Sequence, residues 1–113
     1  MNDSILIIGN GPSALKKEYG VFIDQYKEVA RINNYKLSGY YSFIGSKTTI
    51  WFNGANRKLK KRNYKIPKTV IVAIPYQLLY KKENEIIKRT PKRLGLLPEE
   101  YKLISKDRMK HYE

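Results

Sequence analysis

The feature that most constrains this chain lies at its start. Ser4-Ile5-Leu6-Ile7-Ile8 is a short apolar run that stops at Gly9-Asn10-Gly11-Pro12-Ser13. Such a run, bounded by turn residues, reads as a strand buried in a parallel sheet. Pro12 has no amide hydrogen to lose and suits the first turn of a helix. The expected unit is therefore a strand, a tight glycine turn and a short helix over residues 14–19 that Gly20 stops. Glycines let backbone approach a ligand closely. A helix start presents free amides and partial positive charge, which suits a phosphate. Asn10 and Ser13 add polar side chains for sugar or phosphate oxygens.

The rest of the chain continues the alternation. Residues 22–24 read as a small turn or helical step, and residues 28–32 as a second strand ended by the turn pair Asn33-Asn34. Residues 35–47 read as loop, and Thr48-Thr49-Ile50-Trp51-Phe52 as a third, β-branched and aromatic strand followed by the Asn53-Gly54 turn. Residues 69–74 make a fourth strand that Pro75 stops. Residues 76–89 suit a helix, 90–98 a loop, and Pro98-Glu99-Glu100 opens a final helix with acids in its first turn. Strands alternating with helices or long connections argue for a parallel α/β sheet of about four strands with flanking helices.

Charge is uneven along the 113 residues, whose formal net charge is +13. Residues 1–56 carry +2 and residues 57–113 carry +11, with 17 basic and 6 acidic side chains in the second stretch. The densest run is residues 57–68, Arg57-Lys58-Leu59-Lys60-Lys61-Arg62-Asn63-Tyr64-Lys65-Ile66-Pro67-Lys68. It reads either as a solvated surface or as a face for a polyanion such as nucleic acid, an acidic headgroup or a nucleotide phosphate. The shift near residue 56 is no domain boundary on this reading, and residues 1–113 are expected to form a single α/β domain.

Composition removes several chemistries. The absence of Cys excludes a disulfide scaffold, a thiol nucleophile and a Cys-based zinc site, and one His, His111, excludes a His-cluster metal site. No metal and no cofactor are expected. The longest apolar run, Ile5 to Ile8, is far shorter than the roughly 20 residues a bilayer span needs, so no membrane span is expected. The first residues lack the basic segment of a secretory signal, and the expected location is cytoplasmic.

Two motif readings compete for the glycine turn. Gly9-Asn10-Gly11-Pro12-Ser13-Ala14 fits the dinucleotide fingerprint G-x-G-x-x-A. That fingerprint wants a carboxylate at the end of the second strand, where this chain has Arg31-Ile32-Asn33-Asn34, with Glu28 at the strand's start. The second reading covers residues 5–52. In order, Ile8-Gly9-Asn10-Gly11, Phe22-Ile23-Asp24, Val29-Ala30-Arg31-Ile32-Asn33 and Ile44-Gly45-Ser46-Lys47-Thr48-Thr49 resemble the large sialylmotif of glycosyltransferase family 29, the eukaryotic-type sialyltransferases.

The resemblance implies a Rossmann-like, mostly parallel sheet forming the N-terminal, donor-binding part of a larger catalytic domain. It implies a CMP-sugar donor and a glycan acceptor, with no metal. Gly9 and Gly11 would shape the loop, Asn10 and Asn33 would contact the donor nucleotide, and Ser13 would lie beside them. Arg31, Gly45, Ser46, Thr48 and Thr49 would support the site. The family's later Pro-Ser-Thr-Gly block and its general-base His block have no counterpart here, and His111 stands at the chain end, so the catalytic residues are unknown. A half-domain of this kind would expose a sheet edge and apolar surface, and a partner chain would supply the missing half. The alternatives are a basic module that grips nucleic acid through residues 57–68, and a dinucleotide-binding fragment.

Overall fold

The opening apolar run forms β1 (Asn2–Ile8), and β2 (Tyr26–Ile32) pairs with it in parallel. Leu6 stands opposite Val29 and Ile8 opposite Arg31. The structure is a computed structural model that describes residues 2–113. The chain divides into two compact units, Met1–Trp51 and Phe52–Glu113, and β3 (Ile50–Asn53) carries it from one to the other. The strands follow chain order, β1-β2-β3 in the first unit and β3-β4-β5 in the second. The result is a Rossmann-like α/β fragment with flanking helices.

In the first unit the core is Ile23, Val29, Ala30, Tyr35 and Trp51, all buried. The Trp51 indole donates to the Asn33 carbonyl at 2.8 Å and meets the Tyr35 ring edge-on. The chain between β1 and β2 is shorter in helix than its sequence suggests. Residues 14–19 are not a helix. Only a single 3-10 turn forms, Pro12–Leu15, with no buried residue to hold more. Gly20 does not stop a helix but begins one, α1 (Gly20–Ile23). A side chain at Gly20 would collide with the backbone carbonyls of Tyr41 and Ser42, so the glycine permits contact with α2 (Tyr41–Ile44). That short helix lies inside the stretch expected to be loop.

β1 is the outer strand of this unit, and Ile5 and Ile7 are 56% and 57% exposed. The expected uncovered edge and apolar surface are therefore both present.

In the second unit β4 (Thr69–Val72) pairs in parallel with a two-residue strand, β5 (Lys102–Leu103), which raises the strand number to five. Two residues are too few for an alternating pattern to be seen in sequence. The helix expected over 76–89 runs further, as α3 (Tyr76–Leu94), with a break at Lys82 (φ −138°). It passes through Pro91, where the sequence suggests a loop. Ile86, Thr90 and Leu94 stay on one buried face, and this burial outweighs the hydrogen bond that proline cannot make. The Thr90 hydroxyl donates to the Ile86 carbonyl at 2.7 Å. Gly95, at φ +70°, ends the helix in the left-handed conformation.

Pro98-Glu99-Glu100 opens only one 3-10 turn, in which the Glu100 carboxylate accepts the Leu97 amide at 2.8 Å, and β5 follows at once. The last helix is α4 (Lys106–Tyr112). The Ser105 hydroxyl caps it by accepting from the Arg108 amide at 3.2 Å, and Met109 anchors it in the core. Ser105→Ala should cost about 1 kcal/mol of stability. It should lower the urea midpoint, whereas Ser13→Ala, which removes no cap, should change stability by less than about 0.5 kcal/mol.

Candidate functional site

The glycine turn after β1, the end of β2 and the loop after it enclose a cleft of about 270 Å³ in the first unit. Gly9, Asn10 and Gly11 line one side. Arg31 comes from β2, and Tyr35, Lys36 and Tyr40 come from the loop. Leu15 and Ile44 add apolar surface.

Neither Gly9 nor Gly11 is demanded by the fold. A Cβ at Gly9 would meet nothing within 4 Å, and one at Gly11 would come only to 3.9 Å from the Ser13 hydroxyl. Gly11 has φ −70°, an ordinary extended conformation. What the two glycines provide is open space on the cleft wall. The turn that follows is a single 3-10 turn, so the expected helix macrodipole is not aimed at the cleft.

The Asn10 carboxamide donates to the Ile32 carbonyl at 2.7 Å, which ties the glycine turn to the end of β2. Asn33, one residue further, has φ +50°, and its carbonyl takes the Trp51 indole. Asn33 and Ser13 do not line the cleft, and neither do Gly45, Ser46, Thr48 or Thr49. Among the lining residues that the motif does not mark are Tyr35, Lys36 and Tyr40. Their signal was present as a tyrosine-bearing loop directly after the Asn33-Asn34 turn.

The residues outside the cleft form a clasp behind it. The Asp24 carboxylate accepts the Ser46 amide, the Lys47 amide and the Ser46 hydroxyl, all at 3.0 Å. Gly45 sits at φ +76°, and a side chain there would strike the Asp24 carboxylate. Arg31 is 1% exposed. Its Nη2 donates to the Lys47 carbonyl at 2.8 Å, and its Nε reaches that carbonyl and the Thr48 hydroxyl at 3.3 Å. The Thr49 hydroxyl accepts the Val29 amide at 2.9 Å, and the Lys47 ammonium donates to the Tyr26 carbonyl. Ser46, Lys47, Thr48 and Thr49 thus hold Asp24, at the end of α1, or β2 in place, and Gly45 leaves room for the Asp24 carboxylate.

The electrostatics follow from the geometry. Burial pushes the Asp24 pKa up, but the Ser46 and Lys47 amides, the Ser46 hydroxyl and the Arg31 charge outweigh it, and the carboxyl lies below its usual range. Burial lowers the Arg31 pKa, against the pull of Asp24 and Tyr35, yet a guanidinium stays charged at neutral pH. Arg31 Nη1 is buried and has no hydrogen-bond partner among the described residues. Among those residues no three His, Cys, Asp or Glu side chains gather in a group that could hold a metal ion, and no helix is long and apolar enough to cross a membrane.

The model of glycosyltransferase family 29 (sialyltransferase) matches residues 4–88. The chain belongs to this family. Over 53 residues it is 38% identical to beta-1,6-galactosyltransferase GALT29A of Arabidopsis thaliana, covering 47% of this chain and 13% of that protein. Over a segment of the same length it is 34% identical to sialyltransferase-like protein 1 of Oryza sativa subsp. indica, covering 14% of that protein. The chain therefore matches about one seventh of the length of these relatives. No solved structure matches it.

Asp24→Asn should cost about 1.5–3 kcal/mol at neutral pH, the range for hydrogen bonds to a charged group. Because the folded pKa is depressed, the native advantage should be complete above the unfolded value of about 3.9 and fade as pH falls through the folded value. Urea unfolding of both forms from about pH 2 to about pH 7 checks this. Their stabilities should converge only at the acid end.

Proposed function

We propose that the first unit holds the nucleotide end of a CMP-activated sugar donor for transfer to a glycan acceptor. Family membership supports a glycosyltransferase-like role. The observation that carries the finer reading is the pair of glycines whose missing side chains leave open space on the cleft wall without serving the backbone.

The parts suit the ligand. A nucleoside monophosphate ester needs a small number of cationic and neutral donors beside a surface for its base. Lys36 and Arg31, whose Nη1 lacks a protein partner, are the cationic donors for the phosphate. Tyr35 and Tyr40 offer ring surface for the pyrimidine. Asn10, with its amide group tied to Ile32, keeps its carbonyl oxygen for a sugar hydroxyl. Asn33 and Ser13 join as contacts once the donor is seated at the rim. Gly45, Ser46, Thr48 and Thr49 act at one remove, by fixing Arg31 and β2. No residue is assigned as the base that takes the acceptor proton.

One relative is named a galactosyltransferase and the other is named sialyltransferase-like, so the test compares nucleotides. Calorimetric titration of the chain with CMP should give saturable binding, stronger than UDP. Gly11→Val should weaken it by at least about tenfold, equivalent to about 1.4 kcal/mol, while leaving the urea midpoint unchanged. Binding of UDP without CMP would overturn the choice of donor. Binding that ignores Gly11→Val would overturn the choice of cleft.

A further inference from the structure

The second unit contains a different kind of cleft. It measures about 440 Å³ and lies between the loop after β3 and the last turns of α3. Its walls carry Arg57 and Lys61 from the loop and Arg89, Lys92 and Arg93 from the helix. We propose that it is a binding site for a phosphate-dense anion, one bearing at least two neighbouring phosphate groups.

Charge is the first argument. Some cations at this place are expected, because a helix C-terminus carries about half a negative charge. Arg89 also faces Glu85 at 4.0 Å. Five cations against one carboxylate and the helix end leave about +3.5. That is far beyond what either partner neutralises. Among the described residues the side chains of Arg57, Lys61 and Lys92 make no ion pair or hydrogen bond. Concentrating them around one concavity costs repulsion, which a bound polyanion would turn into attraction.

Construction is the second argument. The loop does not drift past the helix as a solvated basic segment would. Its start is fixed at Ala55, a buried non-glycine residue held at φ +45°. The Ala55 amide donates to the Asn53 side-chain oxygen at 3.0 Å, and its carbonyl accepts Arg93 Nη1 at 3.0 Å. Buried Leu59 anchors the loop between Arg57 and Lys61. The stem of Lys61 lies along Gly95, close enough that a Cβ there would stand 3.3 Å from it. Cationic side chains are thereby held on a strained, packed loop, and strain of this kind collects at ligand sites.

The lining holds no aromatic ring, so the recognised feature is the phosphate rather than a base. Guanidinium forks from Arg57 and Arg89 suit bidentate phosphate contact, and Lys61 and Lys92 add point charges. A free oligophosphate and a nucleic-acid backbone both present that chemistry. The proposal stands apart from the donor site, which lies wholly in the first unit.

The test is calorimetric titration of the whole chain with tripolyphosphate at low salt. A double charge reversal, Lys61→Glu with Lys92→Glu, should weaken binding by at least about tenfold. The matched reversal Lys68→Glu with Lys81→Glu changes net charge equally at exposed positions outside the cleft and should weaken it less than about threefold. Equal losses in the two variants, or no binding by the native chain, would overturn the proposal. Circular dichroism of both variants guards against misfolding; were the first unfolded, Lys92→Gln alone carries the same comparison. Competition by a uridine decamer would support the site with a nucleic-acid source, and its failure to compete would support the site with a free oligophosphate source.

Discussion

The first unit depends on one carboxylate. Asp24 ends the short α1 helix and gathers the amides of Ser46 and Lys47, segments far apart in the chain. Gathering them turns the Lys47 carbonyl toward Arg31, and Arg31 then occupies an interior that would otherwise reject a guanidinium. The buried charge is tolerated because the carboxylate, a carbonyl and the Thr48 hydroxyl surround it. Remove the acid and the arginine loses its counter-charge, Gly45 loses the reason for its left-handed turn, and the approach to β3 loses its anchor. Cleft and clasp are two sides of β2. On one side β2 pairs with β1 and ends against the glycine turn through the Asn10–Ile32 hydrogen bond, and on the other the Lys47, Thr48 and Thr49 segment hydrogen-bonds to Tyr26, Val29 and Arg31.

This division explains what the sequence revealed. The alternation of apolar runs and turn residues is enough to place β1, β2, β3 and β4, but not to tell that β1 is an edge strand with Ile5 and Ile7 exposed rather than the buried strand its apolar run suggests. The family motif was legible because its members are chemically tied to one another, Asp24 to Ser46 and Arg31 to Thr48, at fixed chain distances. The same tie misleads about roles. The most recognisable residues are those that hold the backbone, while the cleft also uses Tyr35, Lys36 and Tyr40 from an unpatterned loop.

The failures have physical causes of their own. Residues 14–19 have helix-forming side chains but bury none of them fully, so propensity had no packing to support it. Residues 90–98 read as a loop, yet Ile86, Thr90 and Leu94 bury enough surface to carry the helix through Pro91 to Leu94. The basic run 57–68 could not be divided by sequence into solvated and functional cations. Chain folding separates them, because only some reach the wall that α3 provides.

The break at Lys82 has a dynamic consequence. The turns of α3 before it are too short to persist alone, since helix nucleation is costly. They lean on α4, whose following residue, Glu113, accepts the Tyr76 amide at 2.8 Å, and Lys110 sits over the Tyr76 ring. The front of α3 and the whole of α4 are therefore thermodynamically one piece. They would exchange amide protons with solvent as a single opening unit, ahead of the segment around Ile86 that remains closed.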